Sequence, residues 1–126
     1  MYLLAIDKSI DILNGISDYC FANDIDCEVT NEGQRGLSLI QERDYEVILL
    51  DMLMPYYNGF DILKQLKNNG VRDKNIVVIT ASDLTVSDFQ DYKEVGIRKI
   101  LNKPFKLSDL DQVIKRYDNV INESSF

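Results

Sequence analysis

The sequence predicts an α/β fold, a doubly wound five-stranded parallel sheet with five helices, and three observations predict it. Short apolar runs at Tyr2 to Ile6, Val47 to Leu50 and Ile76 to Ile79 are rich in Val, Ile and Leu and too short for helices. Runs of this kind suit strands covered on both faces. Helix-period segments lie between them with short connections, and right-handed crossovers then place helices on both sides of the sheet. The length of 126 residues suits one core.

Taken in order, the first strand is Tyr2 to Ile6. A helix over about Ser9 to Ala22 follows, with Ser9 as N-cap and Ile12, Ile16 and Tyr19 on one face; Gly15 weakens it slightly. A weaker strand, Ile25 to Thr30, precedes a helix over about Gly33 to Glu42 carrying Leu37 and Ile40. After Val47 to Leu50 comes a helix over about Phe60 to Asn68, with Ile62, Leu63 and Leu66, stopped by Gly70. After Ile76 to Ile79 comes a fourth helix over about Val86 to Glu94, with Phe89 and Tyr92, closed by Gly96. The fifth strand is Ile97 to Leu101. The last helix, about Leu107 to Ile121, has Ser108 as its expected N-cap and a stripe of Leu110, Val113, Ile114 and Tyr117. One domain over 1–121 and a frayed tail over 122–126 are expected, the tail being either a true terminus or a cut in a longer protein.

Composition narrows the chemistry. With 14 Lys+Arg against 21 Asp+Glu the formal charge is −7, which argues against a general electrostatic grip on nucleic acid or an anionic membrane. There is no histidine, which removes Ser-His-Asp catalysis and nearly all catalytic zinc sites; any phosphohistidine must come from a partner. Cys20 and Cys27 are too few for a disulfide framework and are expected as buried or half-buried thiols. The N-terminus lacks a basic region followed by a long apolar one, so a cytoplasmic protein is the simplest expectation.

In doubly wound sheets functional residues collect at the carboxyl ends of the strands. Those ends carry Asp7, Asp51, Thr80-Ala81 and Lys103-Pro104. Carboxylates, a hydroxyl and an ammonium suit a phosphoryl group and a divalent cation, and a carboxylate can itself be the nucleophile that forms an acyl phosphate.

At these residues the chain resembles the receiver domain of two-component response regulators, over nearly its full length. The resemblance rests on Asp51-Met52-Leu53-Met54-Pro55-Tyr56-Tyr57-Asn58-Gly59 directly after an apolar strand, then Ile79-Thr80-Ala81 and Asn102-Lys103-Pro104-Phe105. It implies a flavodoxin-like receiver fold with strand order 2-1-3-4-5. It further implies Asp51 as phosphoacceptor, Lys103 on the phosphoryl oxygens with a cis bond to Pro104, Thr80 as hydroxyl donor and the backbone N–H of Ala81 as another. Asp7, Asp51 and the backbone carbonyl of Leu53 would be the Mg²⁺ ligands. Read without the resemblance, Thr80 is an ordinary β-branched strand residue, Gly59 a turn or helix-start residue, and Met52 and Met54 packing residues.

Two departures stand out. Receivers typically end the first strand with two adjacent acids, whereas this chain reads Ala5-Ile6-Asp7-Lys8-Ser9. Either Lys8 takes the second acidic position or Asp7 does, with Ile6 in the first. Burial about four, eight and eleven residues further on favours Lys8, because it selects Ile12, Ile16 and Tyr19. The ungapped spacing to Gly33 and Asp51 favours the other register. With Lys8 in the acidic position, Asp7, Asp51, Lys8 and Lys103 sum to zero, Mg²⁺ binding is expected to be weak, and the Lys8 ammonium is expected to replace the metal in part by pairing with Asp51. The alternative is that Lys8 points to solvent and simply weakens the site. The second departure is Ile100, which stands where receivers often carry Tyr or Phe, so transmission through that face is expected to be muted or different in form.

The leading expectation is a phosphorylation-controlled switch that receives its phosphoryl group from a histidine kinase or phosphotransfer protein and alters a surface read by a downstream effector. The fourth helix and fifth strand are the expected surface, and a homodimer is left open. No direct nucleic-acid or membrane partner is expected. The alternative is a pseudo-receiver that binds a partner without being phosphorylated. An independent enzyme is disfavoured by the lack of a glycine-rich phosphate loop; at most the domain would take phosphoryl groups from small donors and assist its own dephosphorylation.

Overall fold

The computed structural model describes the backbone of residues 1–124 and the side chains of residues 1–117. The element order is β1 (Tyr2–Ile6), α1 (Ile10–Ala22), β2 (Asp26–Thr30), α2 (Gly33–Glu42), β3 (Val47–Asp51), α3 (Gly59–Asn68), β4 (Ile76–Thr80), a 3₁₀ segment (Val86–Tyr92), β5 (Ile97–Asn102) and α4 (Leu107–Ser124). The five strands form one parallel sheet in the order β2-β1-β3-β4-β5, as expected.

Alternate residues of each strand feed two separate cores, because successive side chains point to opposite faces. Leu4, Ile6, Ile48, Leu50, Ile76 and Val78 pack with Leu39 and Ile40 of α2, Ile62, Leu63 and Leu66 of α3, and Phe89. Leu3, Ala5, Val47, Leu49, Val77 and Ile79 pack with Leu13, Ile16 and Cys20 of α1 and Leu110, Val113 and Ile114 of α4. All residues of β3 and β4 are buried, which accounts for their unbroken apolar runs. β2 forms one edge and is only partly covered, and its sequence Asp-Cys-Glu-Val-Thr reads correspondingly weakly.

Helix starts follow local chemistry. The Ser9 hydroxyl accepts the Ile12 N–H at 3.3 Å and caps α1. At α3, Asn58 and Asp61 each accept the other's backbone N–H at 2.9 Å, a capping box. Gly59, the first residue of α3, lies so close to Met52 that a Cβ there would overlap its backbone and side chain.

Several boundaries and faces differ from the sequence expectation. The fourth helical element is 3₁₀ rather than α: Val86, Ser87, Asp88 and Asp91 are all poor helix formers, and only Phe89 of this segment is buried. On α1 the buried residues are Leu13, Ile16 and Cys20, with Ile12 and Tyr19 at the margin of the core. The Tyr19 hydroxyl donates to Asp111 Oδ1 of α4. Ser108 does not cap α4 but falls inside its first turn, while the Lys106 N–H donates to Asp109 Oδ2 at 2.9 Å. That helix continues through Ser124, into the expected tail; residues 125 and 126 lie outside the described residues. Cys20 is buried and Cys27 half-buried, both free thiols.

Candidate functional site

Parallel pairing brings the charged residues together. Ile6 pairs with Leu50, Asp51 with Ile79, and Thr80 with Asn102, so the residues at or just past these ends emerge at one edge of the sheet. Asp7 extends the ladder by donating its N–H to the Thr30 carbonyl, and the Lys103 N–H extends β5 by donating to the Thr80 carbonyl at 2.8 Å. Asp7, Asp51 and Thr80 are the buried polar or charged residues among those described.

Asp51 is held by its own turn and by two cations. Its Oδ1 accepts the Leu53 N–H at 3.1 Å, and its Oδ2 lies 3.4 Å from both Lys8 Nζ and Lys103 Nζ. The Lys8 backbone N–H also points at Oδ2, at 3.4 Å. Lys8 Nζ makes its shorter contact elsewhere, donating to the Leu53 carbonyl at 2.8 Å. Lys8 therefore does not simply point to solvent, although its side chain stays 44% exposed.

Asp7 faces Lys103. Its Oδ1 accepts the Ser9 N–H at 2.9 Å and a proton of Lys103 Nζ at 3.2 Å; its Oδ2 is 3.0 Å from the same ammonium but lies off the line of a hydrogen bond. Burial pushes the Asp7 carboxyl above its ordinary pKa and the nearby Asp51 charge adds to that, while the Ser9 N–H and Lys103 work the other way. The Lys103-Pro104 peptide is cis, as expected.

Thr80 and Ala81 stand beside this centre. The Thr80 hydroxyl oxygen accepts the Ser82 N–H at 3.0 Å, turned along its own strand end. Ala81 is exposed and borders, with Lys103, Pro104 and Phe105, a largely apolar groove of about 420 Å³ between α1 and the start of α4. Sequence reasoning placed all of these residues near one another but missed the Lys8 contact with the Leu53 carbonyl. The available signal was the Asp51 turn: an aspartate at a strand end that binds the N–H two residues on turns the following carbonyl toward the site.

Magnesium is the metal implied for such a site, and its fit can be judged from the oxygens. A hard divalent ion needs near-octahedral oxygen ligation at about 2.1 Å. The donors at hand are Asp51 Oδ2 and the Leu53 carbonyl, which already face the Lys8 ammonium, and Asp7 Oδ2, which has no hydrogen-bond partner among the described residues but lies 3.0 Å from the Lys103 ammonium. Among the described residues no three Asp, Glu, Cys or His side chains are grouped so as to hold a metal ion. As arranged, the site does not fit a divalent cation.

A second feature lies along β5, the lateral edge strand of the sheet. A groove of about 650 Å³ runs between the 3₁₀ segment and β5, lined by Val86, Phe89, Lys93, Arg98, Lys99 and Ile100 among others. Val86 is 83% exposed there.

Comparison with known proteins agrees with this fold. The chain is 30% identical over 114 residues to the transcriptional regulatory protein CiaR of Streptococcus pneumoniae, covering 90% of this chain and 49% of that protein. It is 26% identical over 113 residues to the probable transcriptional regulator ycf29 of Pyropia yezoensis, covering 89% and 50%. The chain thus spans about half the length of the curated relatives it matches. Among solved structures, the receiver domain of Francisella response regulator 1452 superposes with a TM-score of 0.77 at 28% identity, over 94% of this chain and 98% of that one. The receiver domain of the Pseudomonas aeruginosa sensor histidine kinase PA1611, solved with a magnesium ion in its active-site cleft, shares the fold at a TM-score of 0.74 and 21% identity, over 92% and 95%. The sequence profile of the response regulator receiver domain matches residues 3–115, and the chain belongs to that family.

Proposed function

We propose that this domain is a phosphorylation-controlled switch in which Asp51 is the phosphoacceptor. The observation that carries the reading is the placement of Asp51: a 1% exposed carboxylate at a strand end with two ammonium groups 3.4 Å from the same oxygen. An Asp51 carboxylate oxygen forms the new O–P bond as the N–P bond of a partner's phosphohistidine breaks; the imidazole nitrogen keeps the electron pair and takes a proton from water. Lys103 and Lys8 offset the charge of the incoming phosphoryl oxygens, and the Thr80 hydroxyl and Ala81 N–H supply further donors once Thr80 turns toward Asp51. The phosphodonor is a histidine kinase or phosphotransfer protein, met in the cytoplasm. The groove between the 3₁₀ segment and β5 is the surface offered to the downstream effector.

A second reading is favoured by the same lysine and by Ile100. If Lys8 holds Asp51 permanently and the aliphatic Ile100 passes on no movement, the domain acts as a phosphorylation-independent interaction module. Mass measurement after acetyl phosphate treatment, with and without Mg²⁺, separates the two. The switch predicts one added phosphoryl group on wild type and none on Asp51→Asn. An unmodified wild type under both conditions, or addition that survives Asp51→Asn, rejects it.

A further inference from the structure

A receiver site with two acids ahead of the phosphoacceptor, one lysine and a bound divalent cation is electrically neutral. So is this site, with Asp7 and Asp51 set against Lys8 and Lys103 and no metal counted. Exchanging one acid plus a divalent ion for one lysine leaves the charge unchanged, since both contribute a single net positive unit. The position of that positive charge is preserved too. Lys8 Nζ sits on the Leu53 carbonyl at 2.8 Å and beside Asp51 Oδ2 at 3.4 Å, oxygens of two of the three groups the resemblance assigns to the metal.

The geometry points to Lys8 as the resident cation of the site, a covalently attached replacement for the divalent ion that also keeps such an ion out. Three features support this. The Lys8 backbone N–H faces the same Asp51 oxygen as its ammonium, both at 3.4 Å, while the ammonium's shorter contact is with the Leu53 carbonyl, so backbone and side chain both border the two oxygens. The remaining acid, Asp7, faces a cation already: its Oδ1 accepts the Ser9 N–H and the Lys103 ammonium, and its Oδ2, which has no hydrogen-bond partner among the described residues, lies 3.0 Å from that same ammonium, so a metal placed there would meet a second like charge. A divalent ion at about 2.1 Å from the Leu53 and Asp51 oxygens would also lie against the ammonium, and like-charge repulsion would have to expel Lys8 first. The use of the site rests on the phosphoacceptor reading above; the exclusion of metal does not.

The test therefore uses no phosphodonor. Mn²⁺ and Mg²⁺ are titrated against the intact chain for wild type, Lys8→Asp and Lys8→Met, with Mn²⁺ followed by paramagnetic broadening of amide resonances and Mg²⁺ by the shift in thermal midpoint. Wild type is expected to need at least about tenfold more metal for half-saturation than Lys8→Asp, with Lys8→Met between them because it removes the competitor without adding a ligand. Wild type that saturates as readily as Lys8→Asp overturns the proposal. If Lys8→Asp does not fold, the comparison rests on Lys8→Met, and equal metal affinity in wild type and Lys8→Met overturns it. Failure of Asp51 to accept phosphate leaves this result unaffected, so the two readings fail separately.

Discussion

Lys103→Met tests the electrostatic core of the site most directly. Lys103 is 13% exposed, and its ammonium lies 3.0 and 3.2 Å from the two Asp7 oxygens and 3.4 Å from Asp51 Oδ2. Methionine keeps most of the stem and removes the charge, leaving two buried carboxylates with only the half-exposed Lys8 to offset them. Breaking a buried pair by removing one partner costs about 3–5 kcal/mol, because an uncompensated charge is stranded. The loss should depend on pH. Without Lys103, two of the influences that hold the Asp7 carboxyl down disappear, so its folded pKa, already raised by burial, rises further. A carboxyl whose pKa is higher folded than unfolded binds more protons in the native state between those two values, and stability falls as pH rises through that window. Each additional unit of upward shift costs about 1.4 kcal/mol once both states are ionised. Urea unfolding at about pH 7 and about pH 4.5 should therefore show a large deficit against wild type at the higher pH and a smaller one at the lower. A deficit under about 1 kcal/mol at neutral pH, or an equal deficit at both, would refute the argument.

Two further outcomes follow from local structure. Tyr56 holds a left-handed backbone, φ 67°, with its side chain fully exposed, so Tyr56→Gly relieves strain without losing packing and should raise stability by about 0.5–1 kcal/mol after the greater chain entropy of glycine is deducted, read as a higher urea midpoint. Phe89 is the buried residue of the 3₁₀ segment and stacks on Phe60 with centroids 5.5 Å apart; Phe89→Ala should cost about 3–5 kcal/mol and speed hydrogen exchange first in residues 86–92.

Legibility in the sequence followed the kind of force at work. The sheet was readable because both of its faces are buried, so Val47 to Leu50 and Ile76 to Ile79 carry continuous apolar side chains that few other structures allow. The helix caps at Ser9 and around Asn58 reflect short-range hydrogen bonds, although only Ser9 was anticipated. The 3₁₀ form of Val86–Tyr92 was harder to see, since Phe89 and Tyr92 keep a spacing that both helix types satisfy, and the weak helix formers between them decide the outcome. At the site, local sequence identified which residues meet at the strand ends. It could not show that Lys8 prefers the Leu53 carbonyl to the Asp51 carboxylate, because that depends on how the turn after β3 aims one backbone oxygen. Nor could it show that Ile12 and Tyr19 lie at the core margin, with the Tyr19 hydroxyl turned to Asp111 of α4.

The charge of the whole chain takes on a different meaning once the site is resolved. The buried acids Asp7 and Asp51 are matched by Lys8 and Lys103, so the net −7 is carried by the remaining residues and is no sign of a metal-binding centre. An attached ammonium and a dissolved divalent ion can balance the same charge, yet they answer to different variables. Occupancy by a dissolved ion follows its concentration, whereas Lys8 is fixed one residue after Asp7, and its local concentration at Asp51 is set by the fold. With Lys8 as resident cation, the state of Asp51 is uncoupled from divalent ion levels. On the phosphoacceptor reading, a phosphoryl group arriving there adds about one further negative charge, which Lys8, Lys103 and Thr80 rearrange to absorb beside the Ala81 N–H. Those three residues, rather than a captured ion, are then where the energy of phosphorylation enters the fold.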